Sequence, residues 1–284
     1  MRLKKKRIFW YAVVAGLVIV GWQVGWWAAA LTLGLLAGAL GVLALFRWLA
    51  EDFGMDRLRQ RAGELGVTYA AMTERLRSER PDEHRKRVRF VVFGDTRNNR
   101  DTAALLMSRM AEDHPDVVFH TGDIVRFGTP REFLRNHLDL LPLLRGTPLF
   151  CVPGNHDRGF RRGFRAFRAM AGDDWFSFDM GACRFTGFNN SGRERVSEEI
   201  LAWLDRELSR PGVTRRFVFC HIPPAFFEAV FARDRRRRGF RKNAEAFHEL
   251  MKRHGVDEVF MAHIHGFASH VFDGTRYTLT AGGG

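Results

Sequence analysis

Hydrophobic and polar positions divide the chain into three stretches. The first runs from Ile8 to Phe46 without a charged residue. In the second, apolar residues recur at mainly helical spacing among mixed charges, and from Val88 onward short apolar runs alternate with helical patterns. We therefore predict an N-terminal transmembrane hairpin at residues 1–50, an amphipathic helical linker at residues 51–87 and an α/β domain at residues 88–284.

The uncharged run is too long for one membrane span. Its 39 residues would form a helix of about 58 Å at about 1.5 Å per residue, whereas the hydrocarbon core is about 30 Å thick. Gly21 and Gly25 flank the only amide of the run and predict a break, which leaves spans near Ile8–Val20 and Trp26–Leu45. Two alternatives remain open: a signal peptide ending near Ala28-Ala29-Ala30, and one long or kinked span.

Basic residues set the predicted orientation of the hairpin. Of the formal net charge of +13, the first 50 residues carry +6, from Arg2, Lys4, Lys5, Lys6, Arg7 and Arg47 without any acid. Basic residues that flank a membrane span stay on the cytoplasmic side. If residues 8–49 form a two-span hairpin in the cell membrane, the C-terminal domain therefore lies in the cytoplasm. A single span would place the C-terminal domain on the opposite side of the membrane.

The linker has its own apolar pattern, formed by Leu58, Leu65, Tyr69, Met72 and Leu76. This spacing predicts one or two amphipathic helices that end near Pro81. Their basic residues would lie along an anionic lipid surface or form an ordinary solvated face.

Composition excludes two classes of protein. The 284 residues are 46% hydrophobic and include 26 Phe, which is too apolar for a disordered basic tail. Three Cys are too few for a scaffold built on disulfides. A globular protein with one or two domains and a real core remains.

The order of elements predicts the class of the C-terminal domain. Strands are expected at Val88–Phe93, Val117–His120, Leu149–Val152, Trp175–Phe178, Cys183–Phe188, Phe217–Cys220, Glu258–Met261, Ala268–Phe272 and Tyr277–Thr280. Helices are expected at Thr102–Glu112, Arg131–Leu144, Ser197–Leu208 and Asn243–Arg253. This alternation indicates an α/β fold.

Polar segments follow five of these strands. They are Gly94-Asp95-Thr96-Arg97, Gly122-Asp123, Gly154-Asn155-His156-Asp157, Cys220-His221 and His263-Ile264-His265. Ligands of α/β sheets bind beyond the carboxyl ends of the strands, so these segments are expected to converge there. Carboxylates, a carboxamide and imidazoles suit Mn, Fe or Zn, and the sequence therefore predicts a metal site.

This set of motifs, in this order, resembles the calcineurin-like metallophosphoesterases over roughly residues 88–284. The resemblance implies a four-layer αββα sandwich as the catalytic domain, and a centre of two divalent metal ions bridged by Asp123. It implies that Asp95 and His265 bind one ion, and that Asn155, His221 and His263 bind the other. His156 would lie beside the substrate phosphate and serve the leaving oxygen.

Two positions depart from the pattern of that family. Its first motif usually reads Asp-x-His, but here the third position is Arg97, which stays protonated and cannot bind a metal. The first ion then loses a ligand, and Arg97 is a candidate for binding the substrate phosphate. Arg126 stands where the family usually has an acid, which leaves the partner of His156 open. The chain stops at Gly282-Gly283-Gly284, where chains of that family often begin another strand, and whether its end is truncated stays open.

Arginine-rich stretches follow two of the motifs. Arg158 and Arg161 begin the first, in which Phe160, Phe164 and Phe167 interleave with basic residues, and the second covers residues 233–242. Both are candidates for the mouth of the site, with Arg158 and Arg161 as substrate contacts, and a solvated loop is the alternative. Basic and aromatic residues suit a lipid interface or single-stranded nucleic acid.

The membrane segment favours a substrate that lies near a membrane. We expect hydrolysis of a phosphomonoester, diester or pyrophosphate bond in a phosphorylated small molecule or lipid near the membrane. A nuclease or nucleotide phosphodiesterase, and a metal-binding relative without activity, remain the alternatives.

Overall fold

The computed structural model describes residues 10–19, 22, 25–50, 52–79, 87–161, 163–192, 195–227 and 239–283. It divides the chain into two compact units, Met1–Ala50 and Glu51–Gly284. The basic segment 228–238, which holds most of the second arginine-rich stretch, lies outside the described residues.

Among its described residues, the first unit contains two apolar helices, α1 at Trp10–Ile19 and α2 at Trp26–Ala50. Within the described part of the chain, α2 alone is long and apolar enough to cross a membrane, over the 21 residues Trp26–Phe46 with mean hydropathy 2.3. A signal sequence has the same properties, and a second span is not confirmed. Gly25 has a φ of 92° directly before α2, as the predicted break requires, and the residues on either side of α1 lie outside the described ones.

The second unit contains two β-sheets. The smaller sheet is parallel, with the order β1-β2-β3, and the larger sheet is mixed, with the order β4-β5-β6-β7-β9-β8. The strands are β1 Phe90–Phe93, β2 Val117–His120, β3 Leu149–Cys151, β4 Trp175–Met180, β5 Cys183–Phe188, β6 Arg215–Phe219, β7 Glu258–Met261, β8 Gly266–Phe272 and β9 Thr275–Ala281. Antiparallel pairing is confined to the two edge strands of the larger sheet, β4 and β8.

Helices pack against both sheets. They are α3 Met55–Leu65, α4 Tyr69–Glu79, α5 Arg100–Glu112, α6 Pro130–Asn136, α7 Arg165–Ala171, α8 Glu198–Ser209 and α9 Ala244–Arg253. The single helix expected over Arg131–Leu144 is instead α6 followed by a 3₁₀ helix at Leu138–Leu144. Pro142 explains the second part, because it has no N–H to donate within an α-helix.

Phenylalanines fill the space between the sheets. The rings of Phe119 and Phe219 stack with centroids 4.1 Å apart, and those of Phe150 and Phe178 are 4.4 Å apart. Side chains alternate along β6, so Phe219 joins this core while Val218 packs on the other side with α8 and α9. The result is the expected order of helices, sheet, sheet and helices.

The predicted linker forms helices, but their apolar faces are part of the domain. Leu58, Tyr69 and Met72 are buried in the same core as the inter-sheet phenylalanines. The Tyr69 hydroxyl donates to the carbonyl oxygen of Cys151, and its ring stacks on Phe150. The second unit therefore includes these two helices, whose apolar faces are covered by its core.

Removing a buried side chain of α3 tests this packing. We expect Leu58→Ala to lower the free energy of unfolding by about 2–5 kcal/mol, because it leaves a cavity in the core. The neighbouring exposed change Arg57→Ala should alter it by less than about 0.5 kcal/mol. Thermal unfolding of the detergent-solubilised chain measures both, and equal stability of the two variants would mean that α3 lies on a membrane surface instead.

Candidate metal centre

The polar segments that follow five strands meet at one edge of the two sheets. The loops after β1 and β2 are joined by a hydrogen bond from Asp95 N–H to the carbonyl oxygen of Gly122, at 2.9 Å. The loops after β6 and β7 are joined by one from Ala262 N–H to the carbonyl oxygen of His221, also 2.9 Å. Parallel strands place their carboxyl ends together, so residues far apart in sequence become neighbours.

Close backbone approach in this region depends on glycine. A Cβ atom on Gly154 would lie 2.1 Å from the Asp123 nitrogen and 2.2 Å from Asp123 Oδ1, and one on Gly122 would lie 2.6 Å from the Gly154 nitrogen. Asp95 and Asp123 themselves adopt left-handed conformations, with φ of 58° and 57°. Such backbone is uncommon outside glycine, and it clusters at functional sites.

Asp123 lies at the centre of the cluster and is fully buried. Its Oδ1 accepts the His156 N–H at 2.8 Å and lies 3.3 Å from His221 Nε2. Its Oδ2 accepts Arg97 Nε at 3.0 Å and Arg97 Nη2 at 2.7 Å. Burial opposes ionisation of Asp123, but His221, the His156 N–H and Arg97 outweigh it and lower its pKa below the ordinary value.

Asp95 is the second buried carboxylate of the cluster. Its Oδ2 accepts the His263 N–H at 3.0 Å. Its Oδ1 accepts no hydrogen bond, and it faces His265 Nε2 at 3.2 Å and Arg97 Nη2 at 3.8 Å. Burial, together with repulsion from Asp123, raises the pKa of Asp95 to about 7. A buried carboxylate oxygen that accepts no hydrogen bond favours a nearby cation.

His221 presents a lone pair to the centre of the cluster. Its Nδ1 lies 2.8 Å from the carbonyl oxygen of Thr121, which can only accept, so Nδ1 carries the proton. Burial lowers the pKa of His221 and keeps the ring neutral, which leaves Nε2 as an acceptor. That atom lies 3.2 Å from Asn155 Oδ1 and 3.3 Å from Asp123 Oδ1. Three electron-pair donors thus meet without a proton between them, as ligands of a cation do.

The predicted ligands are therefore brought together as a set. Ligand atoms of Asp95, Asp123 and His221 lie within 4.8 Å of one another, and the ring of His263 is 5.2 Å from that of His221. Asn155 contacts His221, and His265 contacts Asp95. This donor set of oxygen and imidazole nitrogen fits a divalent transition metal.

His156 has a partner that the sequence left open. Its Nδ1 lies 3.1 Å from the backbone carbonyl oxygen of Arg126, the residue that stands where the family usually has an acid. The carbonyl accepts the Nδ1 proton and fixes the ring, so a backbone atom does the orienting. Asp157 holds the two loops together by accepting from Gly154 N–H at 2.8 Å and Val125 N–H at 2.9 Å.

Only part of the arginine-rich segment that begins at Arg158 is exposed. Phe160 is exposed, but Phe164 and Phe167 are buried in the core, so the interleaved face expected from the sequence is reduced to Phe160 and the arginines. Arg158 and Arg161 are exposed, and their contact with substrate stays a prediction.

Asn190 is a supporting residue that the sequence reading missed. Its Oδ1 accepts the N–H groups of His221 at 3.0 Å and Ile222 at 2.9 Å, and its Nδ2 donates to the Ile222 carbonyl oxygen at 2.7 Å. It thereby fixes the backbone from which His221 reaches the cluster. Its position just after β5, another strand that ends at this edge, is the signal that would have found it.

Known proteins share both the motifs and the fold. Residues 88–267 match the calcineurin-like phosphoesterase family. A glycerophosphodiester phosphodiesterase, GpdQ, of Enterobacter lignolyticus is 32% identical over 122 residues, which are 39% of this chain and 43% of the relative. Acid phosphatase type 7 of Mus musculus is 23% identical over 206 residues, which are 63% of this chain and 46% of the relative.

A solved structure, a dimetal phosphatase from Danio rerio, superposes with a TM-score of 0.54 at 17% identity and covers 69% of this chain and 88% of that one. This similarity is one of fold. The chain spans less than half the length of the two curated relatives.

A methyl group at Gly154 tests the close packing around Asp123. We expect Gly154→Ala to displace the Asp123 carboxylate, to cost about 1–3 kcal/mol of stability and to weaken Mn²⁺ binding by at least about tenfold. The matched change Gly192→Ala meets no atom within 4 Å and should alter neither quantity. Thermal unfolding and Mn²⁺ titration measure the two effects, and unchanged Mn²⁺ affinity in Gly154→Ala would contradict the central place of Asp123.

Proposed function

Because this chain belongs to the calcineurin-like phosphoesterase family, we propose that it is a metal-dependent hydrolase of phosphoester bonds. The observation that carries the proposal is the meeting of the Asp123 carboxylate, the Asn155 carboxamide and the His221 lone pair in a buried cluster. The relatives support the class of reaction, since one is a phosphodiesterase and another an acid phosphatase.

The ligands would divide into two sets, as the family pattern implies. Asp123, Asn155, His221 and His263 form one set, and their donor atoms fit a divalent ion such as Mn, Fe or Zn. Asp95, Asp123 and His265 form the other set, which also contains Arg97. A divalent ion held in this centre would supply Lewis-acid activation of the phosphate and of the attacking water.

The remaining residues have roles that their own contacts suggest. His156 is oriented through Nδ1 by the Arg126 carbonyl oxygen, so Nε2 is the atom that hands a proton to the leaving oxygen. Asn190 and Asp157 hold the loops that carry His221 and His156, and Arg97 keeps Asp123 ionised.

Removal of single ligands tests the reaction. With Mn²⁺, the chain should cleave bis(p-nitrophenyl) phosphate or p-nitrophenyl phosphate, and Asp123→Asn or His221→Ala should each lower kcat/KM on the order of 100-fold or more. His270→Ala, which removes an exposed imidazole from β8, is the matched control and should retain the rate. Full activity in both ligand variants would show that the cluster takes no part in the reaction.

The substrate is proposed to be a phosphate that is lipid-linked or lies near a membrane. The apolar helix α2 precedes the domain, and the proposed anchor consists of two spans with the domain on the cytoplasmic side. Three exposed phenylalanines, Phe127, Phe160 and Phe267, each follow one of the motifs of the site. Exposed aromatic rings next to arginines suit the interface of a bilayer.

Loss of one exposed ring tests this choice of substrate. Phe160→Ala should lower the hydrolysis of phospholipids in anionic vesicles severalfold, because less apolar surface enters the bilayer, and should leave a soluble glycerophosphodiester unaffected. Leu105→Ala, on the exposed face of α5, is the matched control. Faster cleavage of single-stranded DNA than of lipid, with a steep decrease at high salt, would favour the nuclease alternative instead.

A further inference from the structure

Arg97 occupies the position at which the family pattern has a metal ligand, and its side chain is turned into the cluster. The guanidinium donates from Nε and Nη2 to Asp123 Oδ2, at 3.0 Å and 2.7 Å, and Nη2 lies 3.8 Å from Asp95 Oδ1. We propose that this guanidinium takes the place of one of the two ions, so that the chain binds a single divalent ion. The inference rests on the proposed function only in treating the cluster as a metal centre.

The two oxygens of Asp123 face different partners. Among the described residues, Oδ1 accepts a single N–H, that of His156, and faces His221 Nε2 at 3.3 Å, which in turn faces Asn155 Oδ1 at 3.2 Å. Oδ2 already accepts two N–H groups from Arg97. An ion bonded to Oδ2 at about 2.0–2.2 Å would have to displace that pair of hydrogen bonds. The set on the Oδ1 side remains available to an ion, whereas the set on the Oδ2 side is taken.

Charge leads to the same conclusion. Two buried carboxylates need compensating positive charge, and a guanidinium supplies it permanently because it does not lose its proton. A divalent ion held by Asp95, Asp123 and His265 would lie beside that fixed positive charge and be repelled by it. Arg97 therefore does part of the work of a cation, by placing positive charge against Asp123 Oδ2 and where a substrate phosphate arrives.

The backbone holds Arg97 in this position. Its φ is 42°, in the left-handed region, and its N–H donates to the Asp123 carbonyl oxygen at 2.9 Å. The next residue, Asn98, donates to Glu132 Oε1 at 2.6 Å and accepts from Asn136 Nδ2 at 2.9 Å. The loop is thus tied to Asp123 on one side and to α6 on the other. An arginine held at both ends of its turn is placed by the fold, unlike the exposed Arg158.

The number of bound ions tests the proposal directly. The detergent-solubilised full chain is loaded with Mn²⁺, freed of excess ion, and analysed for manganese per chain and by electron paramagnetic resonance. We expect one Mn²⁺ per chain with the six-line spectrum of an isolated ion. Arg97→His should raise the content to two and produce the spectrum of a spin-coupled pair. The control Arg109→His, which adds an imidazole on the exposed face of α5, should keep one.

Each other result has a defined meaning. Two coupled ions in the unaltered chain would overturn the replacement by Arg97 and leave the proposed hydrolase standing. A single ion in Arg97→His, in protein whose thermal unfolding stays cooperative, would also overturn it. No bound ion in any of the three proteins would remove the metal centre and with it the proposed function. The content of the unaltered chain decides the matter even if Arg97→His fails to fold.

Discussion

A carboxylate that water does not reach has to be surrounded by groups that favour its negative charge, and Asp123 is such a carboxylate. The N–H of His156 and the guanidinium of Arg97 donate hydrogen bonds to it, and Nε2 of His221 lies 3.3 Å from its Oδ1. Each of the three comes from a different loop, so the loops after β1, β2, β3 and β6 must approach closely. Gly122 and Gly154 permit that approach, since a side chain at either would collide with backbone.

The core beneath the cluster supplies the rigidity that this arrangement needs. Phenylalanine rings from both sheets stack in one layer, with Phe119 of the smaller sheet on Phe219 of the larger. The layer fixes one sheet against the other, so that strand ends from both point to one place. Helices α3 and α4 extend the same core, through Leu58 and Tyr69. The stretch that looks like a linker in the sequence is therefore part of the support of the site.

Replacing an ion by an arginine would change what the centre demands of its substrate and surroundings. A guanidinium carries one charge in place of two and binds through directed hydrogen bonds. It does not dissociate, so the compensation of Asp123 by Arg97 would not depend on the supply of metal. Asp95 is left with Oδ1 facing His265 and the far side of that guanidinium. The two carboxylates would then differ in role although both are buried.

The sequence alone determined the strands, the motifs at their ends and the apolar N-terminal run, because hydrophobic periodicity and residue chemistry are local properties. It predicted the helices within residues 51–87 but not the burial of their apolar faces, and it assigned Phe164 and Phe167 to a surface. An amphipathic face has the same pattern whether lipid, water or a protein core covers it. The sequence also missed Asn190 and the carbonyl of Arg126, which act only through partners more than 25 residues away. Only the tertiary structure decided that the Arg97 side chain contacts Asp123. The left-handed φ of Arg97 and the burial of Asp123 exist only in the folded chain.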